Sequence, residues 1–118
     1  MPHSKLLHQA EAEVQRVLAN LPREVRAAAE ECLVCYEDIG DEPGLSDDLL
    51  GLFEGWSRLD PEPGIPEDMP RIRLFLDNIN DYAGGDEREY RREVRITYLH
   101  ELGHYLGWNE EEVEALGL

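Results

Sequence analysis

Two histidines four residues apart, with a glutamate directly after the first, make His100-Glu101-Leu102-Gly103-His104 the segment that most restricts how this chain can fold. In an α-helix, residues at i and i+4 lie about 6 Å apart along the axis and only about 40° apart around it, so a helix lets both imidazoles point at one ion. Glu101 falls on the adjacent side of that helix. It is poorly aimed for the ion itself but within reach of a water held there, which is the position of a general base. Asp86 with Glu89 three residues on reads as an N-cap and its capping-box partner, so the helix is predicted to open there and run to about Leu106.

A catalytic zinc site takes three protein ligands and keeps a fourth position for water. Fourteen residues follow His104 in this sequence, and a helix running straight on would carry Glu110 about 15 Å beyond His100. The helix must therefore stop. Gly107 offers the left-handed conformation that ends a helix and turns the chain back, which makes Glu110 the candidate third ligand and Glu111 its nearest substitute. The whole reads H-E-x-x-H-x-x-G-x-x-E. The competing reading of Glu110 is an acid favoured by a helix dipole, because Asn109 with Glu112 repeats the cap signal for a last short helix to Leu116. Two imidazoles and a carboxylate suit zinc and several other first-row metals. Gly103 is expected to let the long helix pack closely on a strand. Tyr98, Tyr105 and Trp108 are read as core or rim residues, with a tyrosine as one candidate donor to a tetrahedral oxyanion. His3 and His8, close to the N-terminus, are given no specific role.

Elsewhere the pattern is that of a small α+β chain. Leu7, Ala10, Val14, Val17, Leu18 and Leu21 form one apolar helix stripe, and Pro22 suits the first turn of a second short helix through Ala27-Ala28-Ala29. Residues 32–39 read as a strand. Gly- and Pro-rich residues 40–70 read as irregular backbone with a short strand at Leu52-Phe53. Arg71 to Asp77 alternates, and its arginines suggest a half-exposed or edge strand, with residues 81–85 as loop.

The length suits one domain, residues 1–118, with a single modest core. A formal charge of −16 repels phosphate backbones and anionic headgroups, so neither nucleic acid nor a membrane is expected as a partner. A basic or neutral peptide should approach more readily than an acidic one. With no apolar signal core and no long apolar run, a cytoplasmic location is expected. Cys32 and Cys35 are half of a zinc knuckle with no second pair, and two buried reduced thiols are the expectation.

The segment from His100 to Glu110 resembles the small bacterial zincin-like metallopeptidase family. Leu21-Pro22, Leu50-Gly51-Leu52-Phe53-Glu54-Gly55 and Pro70-Arg71-Ile72-Arg73-Leu74-Phe75 extend the likeness along the chain. The resemblance implies a minimal zincin-like fold: a small mixed sheet packed on a long metal-binding helix, with His100 and His104 as ligands and Glu101 catalytic. Members usually carry Asp or Ser where Glu110 stands. The expected function is zinc-dependent hydrolysis of peptide bonds in a peptide or protein substrate, through a metal-activated water and Glu101 as general base. A substrate strand is expected beside the Arg71 to Asp77 edge. The rival expectations are a metal-binding regulatory or peptide-binding protein with little or no proteolysis, and a purely structural α+β domain. The oligomeric state is not specified by the sequence.

Overall fold

The apolar stripe near the N-terminus folds as helix α1 (Ser4–Asn20), which buries Ala10, Val14 and Val17 together with the carboxylate residue Glu13. The computed structural model describes residues 4–40, 44–46, 48–57 and 69–115. His3, Leu116 and much of the Gly- and Pro-rich stretch lie outside the described residues. Pro22 stands one residue before helix α2 (Arg23–Ala29), as its N-cap, and its carbonyl accepts the Arg26 amide at 2.8 Å. Three strands follow: β1 (Leu33–Glu37), β2 (Gly51–Glu54) and β3 (Arg71–Phe75). Helices α3 (Leu76–Tyr82), α4 (Glu87–Leu106) and α5 (Glu110–Glu114) complete the described elements.

The sheet order is β1-β3-β2, with β1 parallel and β2 antiparallel to β3. The architecture is thus mixed α+β, with a small mixed sheet lying on the long helix α4, as expected. The expectation that Arg71 to Asp77 forms an edge strand is corrected, because β3 is central and paired on both sides. Ile72 and Leu74 point into the core and are fully buried, while Arg71 and Arg73 occupy the other face. There the Arg73 guanidinium reaches Glu37 of β1 at 2.8 Å and Glu54 of β2 at 3.3 Å. Arginine sits on an inner strand because each neighbouring strand supplies it a carboxylate, a charge-assisted arrangement that alternation alone does not reveal.

The strand also ends two residues earlier than expected, and α3 replaces both its tail and the start of the predicted loop. Leu76 and Ile79, three residues apart, are both buried against the core, which favours helical over extended backbone. The Asp77 carboxylate accepts the Ile39 amide at 3.1 Å, and Asn78 Nδ2 donates to the Leu49 carbonyl at 2.9 Å. Helix α3 thereby braces the chain leading into β2. The core joins α1, β3, α3 and α4 through Val14, Leu74, Ile79, Val94 and Leu102, all at most 1% exposed.

Cys32, directly before β1, is buried and free, and Cys35 is half-buried and free. Burial, and after it the neighbouring Cys35, pushes the Cys32 thiol up from 9.0 to about 12; burial pushes the Tyr36 phenol up to about 12 as well. Tyr90 and Tyr98 are raised by burial in the same direction. For these acids the unfolded chain gives up protons that the folded chain retains, so their stabilising effect is complete below pH 9 and is lost as pH climbs toward 12. Denaturant midpoints measured across the alkaline range should hold steady to about pH 8 and then fall, with Cys32→Ala flattening the early part of the slope. A midpoint independent of pH up to 11 would contradict this account.

Candidate metal centre

The site is set by how α4 begins and ends. The Asp86 side chain accepts the Glu89 amide at 3.0 Å at its start. At its end Gly107 adopts φ 72° and ψ 26°, while the Trp108 amide reaches back to the Gly103 carbonyl at 2.8 Å and the Gly107 amide to the His104 carbonyl at 3.2 Å. This is the left-handed glycine stop anticipated from sequence. Asn109 and Glu112 then form a full capping box, which opens α5 at Glu110.

Helix α5 turns back onto α4. Val113 is buried, and a Cβ placed on Gly103 would lie 2.4 Å from its Cγ2 atom. Gly103 therefore admits a helix, and its expected role in packing on a strand is corrected. The glycine that brings strand and helix together is Gly51, in β2. A Cβ there would lie 2.5 Å from Thr97 Cγ2, 3.2 Å from the Arg73 carbonyl and 3.5 Å from Glu101 Cγ. Gly51 and Thr97 were not singled out from sequence, although an isolated glycine opening a strand is a signal of close backbone approach.

On this frame His100 and His104 stand side by side, their ring centroids 5.0 Å apart and their planes inclined by 60°. Two imidazoles bound tetrahedrally to one zinc, each with a Zn–N distance of about 2.1 Å, have ring centres roughly 5 Å apart. The observed spacing fits a shared ion. Glu101 is 8% exposed, and its Oε1 lies 3.3 Å from Nδ1 of His104, whose side chain is 53% exposed. A buried carboxylate thus lies beside a more accessible imidazole pair. Along one side runs a groove of about 260 Å³, walled by Leu49, Leu50 and Gly51 on the β2 side and by Thr97, His100 and Glu101 on α4.

Glu110 is the first residue of α5, and its side chain lies outside the described residues. Glu111 is exposed on the same turn. Among the described residues no group of three or more His, Cys, Asp or Glu side chains is placed to hold a metal ion, so the described donor set is the histidine pair with Glu101 beside it. Neither tyrosine is turned to the histidine pair as a donor: the Tyr105 hydroxyl donates to Glu31 at 3.0 Å, and Tyr98 is wholly buried, its hydroxyl without a hydrogen-bond partner among the described residues. The oxyanion role considered for a tyrosine finds no support in these positions. Among the described residues no helix is long and apolar enough to cross a membrane.

A family model described as a zincin-like metallopeptidase matches residues 23–118, from α2 through the whole metal-motif helix. No curated protein matches the chain.

Proposed function

The chain belongs to the zincin-like metallopeptidase family, and from that premise we propose that it hydrolyses peptide bonds with one zinc ion, held by His100 and His104 and completed by Glu110. The observation that carries this reading is the 5.0 Å spacing of the two imidazoles over a helix whose next side chain, Glu101, is a buried carboxylate. When bound, zinc supplies Lewis-acid chemistry, polarising the scissile carbonyl and acidifying a water. The chain supplies the proton transfers. Glu101 takes a proton from the attacking water and passes it to the leaving amine, so the carboxylate ends the cycle in the state in which it began. Its burial, at 8% exposure, limits its rotamers, which favours a fixed aim.

Placement of a substrate beside β3 is corrected by the pairing of that strand on both sides. Among the described residues the sheet edge near the site belongs to β2, and an extended peptide adding there would run along the groove beside Glu101. Affinity would then come mainly from backbone pairing. The second reading, a zinc-stabilised protein that binds peptides without cutting them, is favoured by the size of this groove, about 260 Å³, slightly below the usual span of ligand clefts.

Metal content by mass spectrometry on untagged protein tests the site. About one equivalent of zinc is expected in the wild type and none in His104→Ala. Cleavage of a peptide library by the zinc-loaded wild type separates the two readings. Metal-free wild type that does not take up zinc would overturn both.

A further inference from the structure

Eleven lysines and arginines are set in a chain of net charge −16, and five of them, Arg16, Arg88, Arg91, Arg92 and Arg95, line one groove between α1 and α4. The groove measures about 750 Å³ and also holds Glu13 and Glu89, which leaves a local excess of three positive charges against the sign of the whole molecule. It shares no lining residue with the groove beside Glu101. The two surfaces are separate.

Arg88, Arg91, Arg92 and Arg95 recur at the three- and four-residue steps that place side chains on one helix face. Like charges at those steps cost an isolated helix a few tenths of a kcal/mol per pair, and 27 acids were available to alternate with them. Two of the four pair with a carboxylate, Arg95 with that of Glu13 and Arg92 with that of Glu89, and the like-charge steps themselves do not help α4 to fold. Glu13, buried, neutralises part of it through Arg16 and through Arg95 at 3.4 Å, and Glu89 approaches Arg92 at 3.6 Å. Arg88 is exposed and makes no ion pair with another described residue, while Arg91, also exposed, interacts electrostatically with the Glu87 carboxylate. Ala12, small and exposed, lines the groove from α1 and leaves room there for a third helix to approach.

We propose that the α1–α4 groove is a docking surface for an acidic helical segment of a partner protein. Arg88, Arg92 and Arg95 step along α4 by about 6 and 4.5 Å, and acids at i, i+4 and i+7 of a docked helix repeat those steps. Carboxylates confined to one segment meet the local positive field. A long polyphosphate, or a second copy of this chain, also meets the negative surface around the groove. The inference is independent of the metal site.

Fluorescence anisotropy with a labelled alanine-based helical peptide bearing Glu at i, i+4 and i+7 tests it, with the Lys counterpart and oligodeoxythymidine alongside. Saturable binding of the Glu peptide at low ionic strength is expected, weakening with salt and falling about tenfold or more in the double variant Arg88→Glu, Arg92→Glu. Both residues are exposed and the only ion pair lost among the described residues is the surface Arg92–Glu89 contact, so the thermal midpoint should move by no more than a few degrees. Arg91→Gln, a milder change, should weaken binding about threefold. Absence of saturable binding, binding unchanged by both variants, or retention of the oligonucleotide in place of the Glu peptide would each overturn the proposal.

Discussion

Glu101→Gln is expected to cut peptide turnover by about 10²- to 10⁴-fold while zinc content stays at the wild-type level. Glutamine keeps the length and planar end of glutamate, so it fits the buried space beside Gly51 and Thr97 without a new cavity. What it loses is the capacity to take a proton and return it. Because Glu101 is not assigned to the ligand set, removal of its charge should leave the metal in place. Steady-state cleavage of the best library peptide, measured beside metal content on the same preparation, gives both readouts. A variant as active as the wild type would exclude the general-base role. A variant that is inactive and metal-free would instead assign Glu101 to holding the ion.

The parts of this site readable in the sequence are those fixed by local chemistry. The Asp86 cap, the Gly107 stop and the Asn109–Glu112 capping box each depend on residues within a few positions of one another, and all three form, although Asp86 and Glu89 make only the half of their box in which the Asp86 side chain accepts the Glu89 amide. The pairing of His100 and His104 follows from helical periodicity in the same way. What the sequence did not yield depends on partners distant along the chain. The place of β3 at the centre of the sheet rests on Glu37 and Glu54 meeting Arg73, from positions 36 and 19 residues away. Helix α3 was hidden because the alternation of Arg71 to Phe75 passes without a break signal into Leu76, and the residues that favour the helix there contact α1, α4 and the chain before β2. The strand-packing role expected of Gly103 falls to Gly51 for a similar reason. Gly103 and Gly51 both announce close approach, but only the return of α5 and the placement of β2 decide what approaches each.

Gly103→Leu puts the return of α5 to the test and should separate metal affinity from stability. Any Cβ at this position meets Val113 Cγ2 at 2.4 Å, and the stiff valine side chain cannot turn aside as a long one would. The molecule then either strains its core or releases α5. Overpacking costs about 1–3 kcal/mol and more for a large side chain, whereas release forfeits chiefly the burial of Val113, about 2 kcal/mol. Release is the cheaper route, so the loss of stability should level off near 2 kcal/mol, a drop of roughly 8 °C in melting temperature for a chain of this size. Zinc affinity should suffer far more. Helix α5 carries Glu110, the third ligand of the proposed site, and with that ligand withdrawn zinc is expected to bind more than about 100-fold more weakly. Competition titration with a chromophoric chelator measures the affinity, and thermal denaturation of the metal-free protein measures the fold. A stability loss near the expected value with wild-type zinc affinity would show that the third ligand does not travel with α5, which would remove Glu110 and Glu111 from the ligand set together.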